Sequence, residues 1–184
     1  YISVAKVNDK PVPFPYRIHD DPDEDRLIPF MEFARKFGHS FDRSSPTTIA
    51  SSFNQLLKDV QGKPEQHVLE QLGIRTMAKA RYTAENVGHY GLGFEHYCHF
   101  TSPIRRYPDV LVHRLLEAKL NHQTYSTKDE LELLSKHSSD MERTASEAER
   151  ASIKYKQVEF MSDKVGQNFD GVISGVTEWG IYVE

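Results

Sequence analysis

A helical pattern runs without interruption from Thr127 to about Met161. It opens with a capping box over 127–130, in which a threonine and a glutamate satisfy backbone N–H groups at a helix start. Apolar or small residues then recur at spacings of three and four, the period of one helix face: Leu131, Leu134, Ser138, Met141, Ala145, Ala148, Ser152 and Tyr155. On another face, Arg143 and Glu147 form a pair of opposite charge at i,i+4 spacing. The chain is therefore expected to be mostly helical.

Shorter helical patterns precede this segment. Apolar residues at helical spacing predict one helix over 23–38, ending at a glycine, and a second over 48–61. A third pattern, over 64–82, begins at a proline, which suits the first position of a helix. Pro108 indicates another helix start, whereas the prolines within 11–16 predict an extended loop.

After Gly166 the apolar period falls from helical spacing to two. The segments 168–175 and 179–183 predict two strands joined by a short turn. Because a lone hairpin is marginally stable in water, it is expected to begin a larger β-domain. The fold class predicted for the whole chain is therefore α+β, mostly helical, with short strands and a final β-hairpin.

Composition excludes several classes of protein. The apolar runs are far shorter than the roughly 20 residues of a membrane span. Cys98 is the single cysteine, so an internal disulfide is impossible and a reducing, cytoplasmic setting is expected. The formal charge of −4 does not indicate nucleic-acid binding, which must rest on local basic groups. The chain begins without Met and stops within an alternating run, and we expect both ends to be cuts through a longer protein.

The segment 96–109 holds the densest set of residues suited to chemistry. Ser102, Arg105 and Arg106 are phosphate-binding types, since a planar guanidinium can take two oxygens of one phosphate. Flat side chains able to stack on bases lie among them: Tyr97, His99, Phe100 and Tyr107. A glycine-rich loop precedes the segment and a helix N-terminus follows it, and helix N-termini also favour phosphate. The alternative is a structural network in which the arginines pair with carboxylates such as Asp109.

The same residues form a long contiguous motif. It consists of His89-Tyr90-Gly91-Leu92 followed by Tyr97-x-His99-Phe100-Thr101-Ser102-Pro103-Ile104-Arg105-Arg106-Tyr107-Pro108-Asp109 and, after two residues, Val112-His113-Arg114. This motif resembles the signature of the RNB exoribonucleases. Further similar segments are Tyr16-Arg17-x-His19, Glu142-Arg143 and Glu147-x-x-Arg150. The resemblance spans nearly the whole chain and is weakest over 39–66.

The resemblance implies processive, metal-dependent 3′→5′ hydrolysis of single-stranded RNA to nucleoside 5′-monophosphates. The catalytic residue it implies is Arg105, which would reach the scissile phosphate. The expected RNA-binding residues are Ser102, Arg106, His99, Tyr90, His89 and Tyr97. Two alternatives stay open: a structural salt bridge for Arg106, and a buried hydrogen-bonded pair for Ser102 and His99. A monomer without membrane contact is expected.

The resemblance also implies Mg²⁺, which the family holds with aspartates that lie before the segment matched here. The acidic run over 19–25 does not match that motif, and it suits a solvated loop and a helix N-terminus. We therefore expect no metal ligands in this chain and no activity from it alone. The expected domains are 1–161, the C-terminal part of an RNB catalytic domain, and 162–184, the start of an OB-fold RNA-binding domain.

Two other functions compete with this interpretation. A non-catalytic RNA-binding or regulatory relative would keep the arginines and lack the aspartates. A helical protein-interaction module built on 128–161 would require the arginine segment to be incidental. In the hairpin, Trp179 and Tyr182 can stack on RNA or pack into a core. Cys98 is not expected to be a nucleophile paired with His99, because adjacent residues of an extended chain point to opposite faces.

Overall fold

The computed structural model describes residues 6–7, 10–177 and 179–183, with side chains from residue 12 onward except at 176 and 177. The chain divides into two compact units. One contains the chain up to Asp20 together with Lys79–Val165, and the other contains Asp21–Ala78 with Gly166–Glu184. Helices and short antiparallel strands confirm the predicted α+β class.

In chain order the elements are β1 (Lys6–Val7), β2 (Lys10–Pro11), β3 (Tyr16–Ile18), α1 (Glu24–Arg35), α2 (Pro46–Asp59), α3 (Gln66–Thr76), β4 (Arg81–Thr83), α4 (Tyr107–Leu120), α5 (Lys128–Met161), β5 (Ile173–Thr177) and β6 (Gly180–Val183). Single 3₁₀ turns lie at Tyr90–Leu92 and Ser162–Lys164. Each described sheet is one antiparallel pair: β1 with β2, β3 with β4, and β5 with β6.

The first unit forms around the pairing of β3 with β4, which places Arg17 opposite Tyr82. Helices α4 and α5 pack with this pair around one apolar core. Its buried members are Phe14, Tyr16, Ile18, Ala84, Leu111, Val112, Leu115 and Leu131. The helix predicted over 64–82 is therefore too long, because Tyr82 lies in β4 and pairs with Arg17 of β3.

Helix α5 begins at the predicted capping box, with the Thr127 hydroxyl accepting from the Glu130 N–H. Its fully buried residues are Leu131 and Ser135, and farther along Met141 and other members of the predicted face are exposed. The predicted Arg143–Glu147 pair is wrong, since Arg143 instead lies 3.2 Å from Asp140. An exposed arginine can reach either neighbour at little cost, so spacing does not select between them.

The second unit contains α1, α2 and α3 around a core rich in phenylalanine. Its buried members are Leu27, Phe30, Ala34, Phe53, Leu56, Val60 and Leu69. The Asp23 side chain caps α1, and a Ser45–Thr48 capping box opens α2 two residues before the predicted start. Helix α3 begins at Gln66 rather than Pro64, after a turn that contains the proline.

Strands β5 and β6 form the predicted hairpin, although the first strand begins at Ile173 instead of residue 168. The register shifts between Ile173 and Gly175, and Trp179 and Tyr182 are exposed. Whether this hairpin opens an OB fold, with a domain boundary after residue 161, stays a prediction. Among the residues that the structure describes, no helix has the length and apolar character of a membrane span.

Candidate functional site

Residues 101–106, here called the arginine turn, lie directly before α4. The backbone N–H groups of Arg105 and Arg106 both donate to the carbonyl of Ser102, at 3.3 and 3.1 Å. Asp109, fully buried in the first turn of α4, accepts from the Ser102 N–H at 2.7 Å. The helix start predicted at Pro108 is confirmed, because α4 begins at Tyr107. One buried carboxylate therefore ties the turn to the helix.

Arg106 points inward from this turn and pairs with Asp109. Its Nη2 donates to Asp109 Oδ2 at 2.9 Å, and its Nε lies 2.9 Å from Oδ1, in a contact too bent for a hydrogen bond. The Arg106 side chain is only 20% exposed. This is the salt bridge that the sequence left open as an alternative. A role for Arg106 toward RNA stays a prediction.

Arg105 points outward from the same turn. It is exposed, and within the described part of the chain its guanidinium has no ion pair or hydrogen bond. It lines a groove of about 840 Å³, here called the arginine groove, between the start of α4 and one face of α5. Met141, Glu142 and Glu149 belong to the opposite wall. The predicted catalytic arginine is therefore available to a ligand.

Five rings form a continuous row beside the arginine turn. The row, here called the aromatic row, consists of His19, His89, Tyr97, His99 and Tyr82. Ring centroids are 5.2 Å apart for the stacked His19–His89 pair, and 5.1, 5.7 and 5.6 Å apart for the three edge-on pairs that follow. Three of the predicted RNA-binding residues, at 89, 97 and 99, are thus brought together.

The inner end of the row is held by hydrogen bonds and charge. Tyr82 Oη lies 2.8 Å from His99 Nδ1, and the Arg17 guanidinium stacks 4.5 Å above the Tyr82 ring. Arg17 also donates two hydrogen bonds to the Glu142 carboxylate, at 2.6 and 3.1 Å. The partner of His99 is therefore Tyr82, not Ser102, whose N–H is instead bonded to Asp109.

The environment of the row shifts the pKa values of three of its rings, those of Tyr82, His99 and His89, in the direction that favours the neutral form. Burial raises the pKa of the Tyr82 hydroxyl. Burial lowers the pKa of His99, and the nearby charges of Arg106 and Arg17 lower it further. Burial, followed by the charge of His19, likewise lowers the pKa of His89.

The glycine-rich loop is fastened to the end of β3. The Tyr90 N–H donates to the His19 carbonyl at 2.9 Å, and the Gly91 N–H donates to His19 Nδ1 at 2.9 Å. A Cβ added at Gly91 would lie 3.1 Å from that ring nitrogen, so a larger residue would crowd the contact. The ring of Tyr90 lies 6.1 Å from that of His19. The loop therefore places His89 and Tyr90 beside the aromatic row.

Sequence reasoning did not identify Arg17, Tyr82 and Glu142 as one cluster. The helical spacing predicts a helix face for Tyr82, and Arg17 and Glu142 stand out in the sequence only through the family resemblance. The ion pair between Arg17 and Glu142 joins residues 125 positions apart. No spacing rule connects positions so distant, and the one signal for this pair is that both residues belong to segments that resemble the family.

The described residues do not fit a metal ion. Within 12–175 and 179–183 there is no group of three or more His, Cys, Asp or Glu side chains able to hold one. In the acidic run, Asp20 lies 3.4 Å from Arg81, and Asp23 caps α1. Cys98 packs against the core of the first unit, where burial raises the pKa of its thiol and leaves it protonated near pH 7.

Comparisons with known proteins match most of the chain. A family model described as the RNB domain matches residues 2–122. Ribonuclease R 1 of Lactococcus lactis is 41% identical over 178 residues, covering 94% of this chain and 22% of that protein. The structure of Mycoplasma genitalium RNase R in complex with ribose methylated single-stranded RNA has a TM-score of 0.83 and 30% identity, over 94% of this chain and 28% of that one.

A more distant structural match is yeast Ssd1, a pseudonuclease. Its TM-score is 0.58 and its identity 26%, over 68% of this chain and 16% of that one. This chain therefore spans 22% of the length of the Lactococcus lactis ribonuclease and 28% of the Mycoplasma genitalium chain.

Proposed function

Because this chain belongs to the RNB-domain family, we propose that it is part of a 3′→5′ exoribonuclease. The complete protein would processively hydrolyse single-stranded RNA and release nucleoside 5′-monophosphates. The similarity to Lactococcus lactis ribonuclease R 1 supports this proposal. The region present here would supply the arginine that faces the phosphate and part of the RNA path.

The observation that carries the proposal is the contrast between Arg105 and Arg106. Both arginines line the arginine groove, but Arg106 is neutralised by a buried carboxylate, whereas Arg105 is exposed and has no ion pair among the described residues. Negative charge gathers on the phosphate oxygens in the transition state of phosphodiester hydrolysis. A guanidinium held in place beforehand stabilises that charge without reorganising. Since the Ser102 carbonyl and Asp109 brace the turn from inside, Arg105 is presented on a rigid support.

The aromatic row supports a sequence-independent mode of RNA binding. Each base has a flat face, so stacking on Tyr97, His89 or His99 does not select among bases. Tyr90 lies at the edge of the row, and Ser102 lies at the base of the arginine turn. Contacts to phosphate would fix the strand's position and also carry no base information.

A requirement for Mg²⁺ belongs to the complete protein in this proposal. Two-metal hydrolysis needs several carboxylates that converge on ions about 3.5–4 Å apart. We propose that these ligands are aspartates that precede the segment matched here, as the family resemblance implies, and the described residues contain no group of three or more candidate ligands. Accordingly, the 184-residue chain alone is expected to release no mononucleotides with Mg²⁺. Robust release by the purified chain would show that the ligands were misplaced.

The decisive experiment replaces Arg105 in the full-length protein. The Arg105→Ala variant is expected to lose about 10²–10³-fold in single-turnover rate on 5′-labelled single-stranded RNA, because one transition-state donor is removed. RNA affinity, measured with a chelator present, should change far less. Lys154→Ala, on an exposed turn of α5 outside the arginine groove, is the matched control. Intact single-turnover chemistry with a large loss of binding would overturn the assigned role.

The second candidate is a non-catalytic RNA-binding relative, which the likeness to the pseudonuclease yeast Ssd1 favours. Both candidates predict RNA binding by the full-length protein. They differ in chemistry, because the enzyme releases mononucleotides only when divalent metal is present. Digestion of labelled RNA with and without a chelator separates them, and intact RNA in both samples would favour the non-catalytic relative.

A further inference from the structure

A second groove, of about 700 Å³, lies in the first unit on the other side of Glu142 from Arg105. It borders the arginine groove, since Tyr82, Glu142 and Ser146 line both. Its basic lining residues are Arg17, Lys79, Arg81, Lys136, Arg143 and Arg150. Its acidic lining residues are Glu132, Asp140, Glu142 and Glu147. This cationic groove is thus locally positive on a chain whose formal charge is −4.

Three of these cations are already paired within the first unit. Arg17 is held by Glu142, Arg81 lies 3.4 Å from Asp20, and Arg143 lies 3.2 Å from Asp140. The last two pairs are exposed, so they contribute little energy and exchange readily for another anion.

The other three cations, Lys79, Lys136 and Arg150, have no ion pair with any residue in the described ranges. Among the acidic residues, Glu132 accepts hydrogen bonds from the backbone N–H of Ala84 and the hydroxyl of Thr83, at 2.6 and 2.8 Å, and keeps its negative charge. Six basic and four acidic residues line the groove, so a net charge of +2 remains.

Three of the cations form a regular line along α5. Lys136, Arg143 and Arg150 follow one another at intervals of seven residues. They therefore stay on one face of α5, and each is rotated about the helix axis by about 20° from the one before. At 1.5 Å per residue the steps are about 10.5 Å. This is close to the axial rise of three nucleotides in a stacked strand, at roughly 3.4 Å each. Asp140 and Glu147 alternate with these cations along the groove, so the exposed Arg143–Asp140 pair would exchange its carboxylate for a phosphate when a strand binds.

We propose that the cationic groove binds the phosphate backbone of RNA, away from the linkage that Arg105 contacts. The inference rests on the proposed function, which makes RNA the ligand, and it adds a second contact region to the same strand. Among the residues that line the groove, only Ala80 and the buried Tyr82 are not charged or hydroxyl-bearing serine side chains. A protein partner would need an apolar, aromatic-rich centre in its interface, so the lining favours RNA over an acidic protein segment.

The test counts phosphate contacts in the full-length protein. The variant Lys136→Gln/Arg143→Gln/Arg150→Gln and the unmodified protein are titrated with an unstructured RNA oligonucleotide, with a chelator present, over a range of salt concentrations. Each lost contact reduces the slope of log Kd against log salt by about 0.7. The expected reduction is therefore about 2, with roughly tenfold or greater weakening at low salt.

The matched control is Lys119→Gln/Lys154→Gln/Lys156→Gln, which removes the same charge from residues of α4 and α5 that line neither groove. Its salt slope is expected to equal that of the unmodified protein. Equal slope changes in both triple variants would overturn the proposal, because they would reflect net charge alone. An unchanged slope with a lowered melting temperature in the groove variant would also overturn it, because the three cations would then stabilise the fold without contacting RNA.

Arg105→Ala, assayed in parallel, separates this proposal from the proposed function. If Arg105→Ala abolishes turnover while the groove variant keeps the original salt slope, the nuclease assignment stands and the groove proposal fails. If Arg105→Ala keeps full turnover while the groove variant loses slope, the groove binds RNA and the role of Arg105 fails.

Discussion

The inner and outer sides of the arginine turn carry the same chemical group in opposite environments. On the inner side, Arg106 is mostly buried and paired with Asp109. On the outer side, Arg105 is exposed in a groove. The buried pair gives the turn its shape, and that shape presents the exposed guanidinium. Two neighbouring arginines can therefore have different roles, in which one stabilises the fold and the other is available to a ligand. The stabilising one is the arginine that reaches the buried carboxylate.

The strongest test of this contrast compares stability. Arg106→Ala leaves the fully buried Asp109 without its cation, so the free energy of unfolding should fall by about 3 kcal/mol. Arg105→Ala removes an exposed side chain and should change it by less than about 0.5 kcal/mol. Urea denaturation measures both. Equal losses in the two variants would mean that the inner and outer sides do not differ.

A smaller loss of stability is expected when the hydrogen bond between Tyr82 and His99 is removed. His99 lies two residues before the arginine turn, so this bond tests whether Tyr82 also supports the turn. Tyr82→Phe removes the hydroxyl that bonds His99 at 2.8 Å while it keeps the buried ring. The expected cost is about 1 kcal/mol in the free energy of unfolding, typical of one buried hydrogen bond. Tyr155→Phe, at an exposed position of α5, is the control and should be neutral. If Tyr82→Phe leaves the free energy of unfolding unchanged, the hydrogen bond does not help to stabilise the turn.

The smallest expected effect is a pH dependence of stability. An unfolded histidine titrates near 6.5, whereas burial and nearby arginines hold the pKa of His99 below that value in the folded chain. The unfolded state therefore binds the proton first as pH falls. Stability should decline as the pH drops below about 6.5, until the lower pKa of the folded state is reached.

This decline is measured by urea midpoints between pH 7 and pH 5. His99→Gln should flatten the pH profile, whereas His67→Gln, at an exposed position of α3, should leave it unchanged. A profile for His99→Gln that parallels the unmodified protein would assign the decline to another group, such as His89, whose pKa is also lowered.

Local sequence signals predicted the elements well where the signal is itself local. The capping box at Thr127, the hairpin after Gly166 and the start of α4 at Pro108 each depend on a few adjacent residues. The helix prediction for Tyr82 is wrong because the same apolar residue fits either the spacing of a helix face or that of a strand. The structure shows that it lies in a strand, since it pairs with Arg17 across β3 and β4.

The sequence alone determined the α+β class, the family signature and the set of phosphate-binding and stacking residues, since these follow from residue type and short spacing. Only the tertiary structure decided that Arg106 is neutralised and Arg105 exposed, that five rings form one row, and that Arg17 pairs with Glu142. The physical reason is that burial and ion pairing depend on which distant elements meet, and a linear pattern does not specify those encounters.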